Sequence, residues 1–153
     1  EKKTMYEVPD FIIKSQAKGF SHFINDAGGS LCELEDQALF KLLSEKSLIV
    51  YIQTNSENER ILIERAKTHP KPMYYDSKFF EKSIKTYLAE NSLDYVAQVS
   101  PDDFVSWVFP KLIEDRLKKY TAIAKKYGCT IQSDDLHNCR SANDVINLIS
   151  SAL

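Results

Sequence analysis

Glycine is scarce in this chain of 153 residues, in which only four glycines occur. The pattern G-x-x-x-x-G-K-[ST], a loop that binds the phosphates of a nucleotide, is found nowhere in the sequence. With so few glycines, no hidden version of that loop can exist either. Residues 1–153 therefore lack this means of binding a nucleotide.

Three further features are missing, and each excludes a class of protein. Lys and Arg number 20 against 22 Asp and Glu, so a net charge of −2 gives no general attraction to nucleic acid or to an anionic membrane. No apolar run reaches the roughly 20 residues of a membrane span, and no signal-like apolar segment opens the chain. Cys32, Cys129 and Cys139 are not at metal-ligand spacing, and reduced cysteines are typical of the cytoplasm. We expect a cytoplasmic protein that binds neither nucleic acid nor membrane.

Short apolar runs alternate with helical patterns along the chain, which predicts an α/β fold. The clearest strand is predicted at 48–52, and its unbroken apolar run is typical of a parallel sheet covered on both faces. Weaker strands are predicted at 22–25 and 129–131. Together they predict one domain over residues 1–153, with a short parallel sheet flanked by helices in three layers. So narrow a sheet leaves an exposed edge, through which copies of the chain could self-associate.

Prolines, glycines and capping residues predict where the helices begin and end. Pro9 and Asp10 are expected to open the first helix and Gly19 to end it. Asn55 or Ser56 is expected to cap a helix after the central strand. Further helices are predicted around 34–43, at 77–91, over 102–127 with Pro110 as a kink or a second start, and after the capping residues Ser141 and Asp144.

Polar residues and glycines follow the first predicted strand directly. In parallel sheets, ligands bind beyond the carboxyl ends of the strands. Asp26 could hold Mg²⁺ there, directly or through water, while Gly28 and Gly29 would let backbone N–H groups approach an anion beside Ser30. An ordinary turn, in which an Asp and the glycines serve only the backbone geometry, explains the same residues.

A second candidate site is cationic. Arg65, Lys67, His69 and Lys71 surround a proline, which suits a flap that closes over phosphate. The alternative is a solvated loop after a charged helix. Arg116 lies in the long segment 102–127, where it could form a surface ion pair or bind an anion.

Taken in order, these segments resemble the shikimate kinase and gluconate kinase group of P-loop phosphotransferases. The matching features are the strand and glycine turn at 23–30, the apolar strand at 49–52, Arg65 before a Pro-rich connector, an Arg-x-x-x-Tyr-x-x-x-Ala pattern starting at Arg116, the strand at 130–131 and the final helix. The likeness covers most of residues 20–153.

The resemblance implies an incomplete P-loop NTPase-like fold. The chain would be the C-terminal portion of such a domain, without the first strand, the phosphate loop and the first helix, and with a lid or insert at about 65–109. The absence of an initiator Met fits this expectation. ATP and Mg²⁺ would be cofactors of the intact enzyme, and none is expected on this chain, because phosphoryl transfer depends on the missing backbone cradle.

The resemblance also implies roles for the candidate residues. A small anionic acceptor would lie against Gly28, Gly29 and Ser30, and Arg116 would pair with its anionic group. The catalytic residues would be Asp26, with Mg²⁺, and Arg65, which would close over the transferred phosphate with Lys71. Ser30 replaces a third glycine of the family, and the insert after residue 77 is unusually long, so we expect an acceptor other than shikimate.

Two other functions remain open. A complete, non-catalytic α/β interaction module would expose an apolar patch at Tyr74, Tyr75 and Phe79, or around Trp107 and Phe109. Burial of those rings would count against it. An unrelated hydrolase or transferase built on Asp26 would need a second acid or base within hydrogen-bond reach of that carboxylate.

Overall fold

The computed structural model describes residues 2–69 and 74–153, which form helices and one small parallel sheet. The general α/β class predicted from the sequence is therefore confirmed. None of the described helices combines the length and the apolarity that crossing a bilayer requires. The α-helices are α1 (Lys2–Ala17), α2 (Gln37–Lys46), α3 (Ser56–Thr68), α4 (Ser77–Glu90), α5 (Pro101–Tyr127), α6 (Ser133–Asn138) and α7 (Ala142–Ser151). The strands are β1 (Ile49–Gln53) and β2 (Gly128–Gln132), and short 3₁₀ helices cover Leu31–Leu34 and Val96–Gln98.

The two strands pair in parallel, with Ile49 opposite Gly128 and Gln53 opposite Gln132. The strands predicted at 48–52 and 129–131 are confirmed to within one residue at each end. The strand predicted at 22–25 is wrong, because residues 22–28 have no regular structure and Ile24 is 90% exposed. An apolar run becomes a strand only beside a partner that takes its backbone hydrogen bonds, and none of the described residues pairs with this segment.

The start of β2 requires glycine. A Cβ atom added to Gly128 would overlap the backbone carbonyl oxygen of Ile49 on the neighbouring strand. Gly128 also follows α5 directly, which ends at Tyr127 as predicted. The same residue therefore ends a helix and allows two strands to approach each other closely.

The described chain divides into two compact units. The first unit runs up to Thr54 and resumes over Lys119–Leu153, and the second unit is Asn55–Lys118. The predicted insert, residues 65–109, lies entirely within the second unit. Nothing in the local sequence pattern indicated that α5 contributes its last residues to one unit and the rest to the other.

In the first unit, α1 and α2 bury a shared apolar stripe. Met5 and Val8 of α1 pack with Leu39 and Leu43 of α2, at the three- and four-residue spacing of one helical face. Helix α1 begins well before the predicted start, so Pro9 lies inside it. An internal proline removes one helical hydrogen bond, and the packing of the helix around it offsets that loss.

In the second unit, aromatic rings of α4 and α5 form the core. The ring of Tyr87 lies 5.3 Å from that of Phe104 and 5.1 Å from that of Trp107, both at edge-on angles. Ile84 and Val108 are buried in the same cluster. Edge-on aromatic pairs of this kind stabilise a core beyond the area they bury.

Most helix boundaries follow local capping. Four helices begin with a side chain that accepts a hydrogen bond from the N–H three residues later, namely Asp36 from Leu39, Asn55 from Asn58, Asp76 from Phe79 and Ser141 from Asp144. The caps at Asn55 and Ser141 were predicted and are confirmed, as is the end of α1 before Gly19, which has φ of 83°. A second helix starting at Pro110 is wrong, because α5 continues through that residue.

Candidate functional site

The predicted acceptor residues lie in one turn of the first unit. The N–H of Leu31 donates to the carbonyl of Gly28 at 3.0 Å, which closes a turn with Gly29 and Ser30 at its centre. Ser30 has φ of −91° and ψ of −2°, the values of the second central residue of a type I turn. The predicted tight turn is confirmed. Because most residues adopt these angles, Ser30 fits at a position where the resembling family has glycine.

Gly28 is not required by the geometry of this turn. Its φ lies outside the left-handed region, and an added Cβ would have no heavy atom within 4 Å among the described residues. Gly28 is also exposed to solvent. The backbone is therefore bare at a point where the structure would accept a side chain, and a ligand has room to approach it.

The glycine turn is fixed by contacts from distant parts of the sequence. The hydroxyl of Tyr120 donates to the carbonyl of Gly29, and the thiol of buried Cys32 also contacts that oxygen, at 3.7 Å. The ring of Tyr120 stacks on Tyr51 of β1, with centroids 5.2 Å apart. The end of α5 and the strand β1 thus both support the turn.

The 3₁₀ helix after the turn is held by an ion pair. Nζ of Lys119 lies 2.7 Å from the carboxylate of Glu33, whose side chain is completely buried. Glu35 lies 3.9 Å from the same ammonium group and is largely exposed. Neither Lys119 nor Glu33 was predicted from the sequence. The one available signal was the tyrosine of the Arg-x-x-x-Tyr pattern, which is Tyr120.

Asp26 lies in the irregular segment before the turn, and its side chain is exposed. Within residues 2–69 and 74–153 it has no hydrogen-bond or ion-pair partner, so the hydrolase hypothesis lacks the second acid or base that it needs. Both carboxylate oxygens are available to Mg²⁺ or to its water ligands. Mg²⁺ sites commonly use one or two carboxylates with water and phosphate oxygens, so Asp26 alone fits only part of such a site.

Arg116 lies in the second unit and contacts the backbone. Its Nη2 donates to the carbonyl of Tyr74 at 2.9 Å. Burial raises the pKa of the neighbouring Tyr75, and the positive charge of Arg116 acts in the opposite direction. The glycine turn belongs to the first unit, so a common anion pocket with Arg116 stays a prediction.

Arg65 lies in the last turn of α3 and is exposed. Its guanidinium forms no ion pair with any described residue, whereas Arg60 on the same helix bonds Glu57 at 2.7 Å. Lys71, the other predicted phosphate ligand, lies outside the described residues. An open hollow of about 450 Å³ runs along this part of α3. It is lined by Arg60, Ile61, Glu64, Arg65, Thr68 and His69.

The aromatic patch predicted for an interaction module is mostly wrong. Tyr74 is 59% exposed, but Tyr75 and Phe79 stack on each other at 6.2 Å and pack against the core of the second unit. Trp107 packs in that core as well, and its Nε1 donates to Glu90 at 2.9 Å. Burial of an aromatic ring in the core stabilises the fold, so these rings are not available as a surface patch.

Different apolar side chains are exposed in the first unit. Phe20 is 62%, Phe23 40% and Ile24 90% exposed, and all three precede the glycine turn. Phe23 and Ile24 lie in the segment predicted as a strand, which has no regular structure. Single exposed apolar residues are common, but three within five positions are not explained by the fold of the first unit.

No family model, curated protein or solved structure matches this chain. Its fold and site define an α/β protein with an exposed glycine turn that is fastened to the end of α5. Kinship with the P-loop phosphotransferases stays a prediction from the order of the sequence motifs.

Proposed function

We propose that this chain is the acceptor-site and lid portion of a cytoplasmic, ATP-dependent small-molecule phosphotransferase or ATPase. In this proposal the three-layer, P-loop NTPase-like fold is completed by the phosphate loop, without which residues 1–153 do not turn over nucleotide. The bare backbone at Gly28 is the observation that carries the proposal.

Gly28 supports a ligand site because structural reasons for a glycine are absent there. A glycine costs conformational entropy on folding, and at this position neither a positive φ nor crowding requires it. A side chain at Gly28 would instead occupy the open space beside the turn. Backbone N–H groups in such a turn are donors that suit a small anion.

The charges of the candidate residues are consistent with phosphoryl transfer. Such transfer depends on positioning and on neutralising the charge of the moving group. The guanidinium of Arg65 is exposed and not engaged by a described residue, so it is available to bind phosphate oxygens bidentately, with Lys71 as a second cation. Arg116 would pair with the anionic group of the acceptor, as the resemblance implies.

Asp26 and the glycine turn would act on the acceptor side. Gly28, Gly29 and Ser30 would orient the acceptor, and Asp26 would supply a carboxylate ligand to Mg²⁺ or to its water. When bound, Mg²⁺ supplies charge neutralisation to the phosphates. ATP would be held by the phosphate loop rather than by these residues.

The test is a titration of the isotope-labelled chain with inorganic phosphate, followed by the amide signals of residues 26–31 in NMR spectra. We expect saturable shifts at Gly28 and Gly29, and weaker binding in the variant Gly28→Ala without loss of folding. Absence of any response in this turn would overturn the proposal. So would an encoding reading frame without the G-x-x-x-x-G-K-[ST] pattern upstream.

A second candidate function is that of a non-catalytic α/β interaction module. The exposed side chains of Phe20, Phe23 and Ile24 favour it, in place of the patch predicted from the sequence. Pull-down of a defined partner that depends on Ile24, combined with an unresponsive glycine turn, would favour this function. The control is Ile13→Asp, which alters an exposed apolar residue of α1.

Self-association through the sheet is a related proposal. Among the described residues, β1 and β2 each have a strand neighbour on one side only, and both strands are uncharged. An uncharged edge is open to pairing with another strand. Light scattering over a range of concentrations should then show a dimer. A monomer at high concentration would contradict it.

A further inference from the structure

Two consecutive residues near the end of α5 hold the glycine turn at two points. Tyr120 donates its hydroxyl to the carbonyl of Gly29, at the centre of the turn. Lys119 pairs with Glu33, four residues further along. We propose that Lys119 and Tyr120 are positioning residues, which keep the turn in the conformation that leaves Gly28 open to an anion. The inference rests on the proposed function only for the identity of the ligand.

Tyr120 is well suited to fix the turn. Its ring is held by stacking on Tyr51, so the hydroxyl has a defined position relative to β1. Gly29 is the first central residue of the turn that the hydrogen bond from Leu31 to Gly28 closes, and Tyr120 contacts its carbonyl. A rigid phenol on this oxygen limits rotation of the peptide that joins Gly29 to Ser30.

Lys119 fixes the chain that leaves the turn. The Glu33 carboxylate is fully buried and the Lys119 side chain is 20% exposed, so water screens this ion pair only weakly. The N–H of Glu33 also donates to the carbonyl of Ser30 at 3.0 Å, which couples the 3₁₀ helix to the turn. Displacement of the 3₁₀ helix would separate this buried carboxylate from the Lys119 ammonium group.

The residues on the other side of the turn are mostly exposed, although Ala27 packs against the core of α1 and α2. Residues 22–28 have no regular structure, and Phe23, Ile24, Asn25 and Asp26 are exposed. Local bonds from Leu31 and Cys32, and the packing of Ala27 and Leu31 against the core of α1 and α2, also hold the turn. We expect the two contacts from α5 to add to this order at the Gly29 carbonyl and in the 3₁₀ helix.

The decisive variant is Tyr120→Phe, which removes one hydroxyl and keeps the ring. Its matched control is Tyr127→Phe, which removes a hydroxyl from the same helix that bonds Gln37 at 2.7 Å. In Tyr120→Phe, and not in Tyr127→Phe, we expect faster amide exchange at residues 29–31 and a changed carbonyl chemical shift of Gly29. Phosphate binding should be about 2- to 10-fold weaker, which is the effect of losing one hydrogen bond. A turn as ordered in Tyr120→Phe as in Tyr127→Phe would overturn the inference.

The ion pair is tested by replacing both charges together, with Glu33→Gln and Lys119→Gln in one chain, because the double change keeps the net charge of the pair at zero. Lys126→Gln is the control, since its ammonium contacts the exposed side chain of Gln37 at 2.8 Å. Faster amide exchange in the turn of the double variant than in Lys126→Gln, with both proteins still folded, supports positioning. Retained order contradicts it.

If phosphate leaves the wild-type turn unaffected while Tyr120→Phe loosens it, the proposed function fails and the positioning role stands.

Discussion

The carboxylate of Asp36 lies 2.7 Å from the ammonium group of Lys2, so one side chain joins the first turn of α1 to the start of α2. The same carboxylate caps α2 through the N–H of Leu39 at 3.0 Å and accepts from the hydroxyl of Tyr6 at 3.1 Å. These two helices carry the core of the first unit. Its stability should therefore depend on the charge of Asp36.

The first prediction concerns acid. The bond with Lys2, followed by the N–H of Leu39, lowers the pKa of Asp36 from 3.8 to about 2. Because the folded pKa lies below the unfolded one, the stabilisation is present above about pH 4 and is lost as the pH falls towards 2. Thermal unfolding of the wild type and of Asp36→Asn should differ at pH 6 and converge as the pH approaches 2.

Asn is the appropriate replacement because it still caps a helix and removes only the charge. The pKa of Asp144 is also lowered, chiefly by the N–H of Arg140. Asp144 is present in both proteins, so its effect on stability cancels in the comparison. A constant difference in melting temperature between the two proteins across this range would contradict the prediction.

The second prediction compares two glycines. Gly128→Ala should lower the free energy of unfolding by about 1–3 kcal/mol or more, because the added methyl overlaps the carbonyl of Ile49 and forces the strands apart. Gly28→Ala is the matched control. It meets open space and should be neutral or stabilising by about 0.4–1 kcal/mol, since the unfolded chain loses freedom. Urea unfolding measures the free energy of both variants. Equal effects would show that Gly128 is not required by the close approach of the strands.

The third prediction concerns the second unit. Phe104→Ala should cost about 3–5 kcal/mol, because Phe104 is 5% exposed and contacts the rings of Tyr87 and Trp107. Phe80→Ala is the control, since Phe80 is 39% exposed. Trp107 is the only tryptophan, so its fluorescence reports the unfolding of this unit. Similar losses in both variants would show that Phe104 is not central to this core.

The fourth prediction tests the cationic end of α3. Arg65→Ala should weaken the binding of inorganic phosphate about 10-fold, as expected for loss of a charge-assisted contact. Arg60→Ala removes the same charge from the same helix, but Arg60 is already bonded to Glu57. Isothermal titration should therefore separate the two variants. Equal weakening would mean that only the net charge matters.

Local chemistry made several elements predictable from sequence. Strand β1 contains four consecutive apolar residues, and the caps at Asn55 and Ser141 bond to N–H groups only three residues away. The turn at Gly28 also depends on a hydrogen bond across three residues. Interactions of such short range are present in the sequence pattern itself.

Other features were decided by long-range contacts. The segment 22–25 was predicted as a strand, but a strand needs a neighbour, and none of the described residues pairs with it. The turn is held by two long-range contacts. Tyr120 lies 91 residues after Gly29, and Lys119 lies 86 residues after Glu33. Periodicity cannot reveal such pairs, because they depend on where the chain returns.

The amino-acid sequence by itself thus determined the α/β class, the caps and the position of the glycine turn, because each arises from neighbours along the chain. Tertiary structure alone decided that Gly28 faces open space, that Arg116 binds the carbonyl of Tyr74 and that the rings of Tyr75 and Trp107 pack inward. Those outcomes depend on which distant surfaces meet, and burial and hydrogen bonding across such surfaces outweigh local preference.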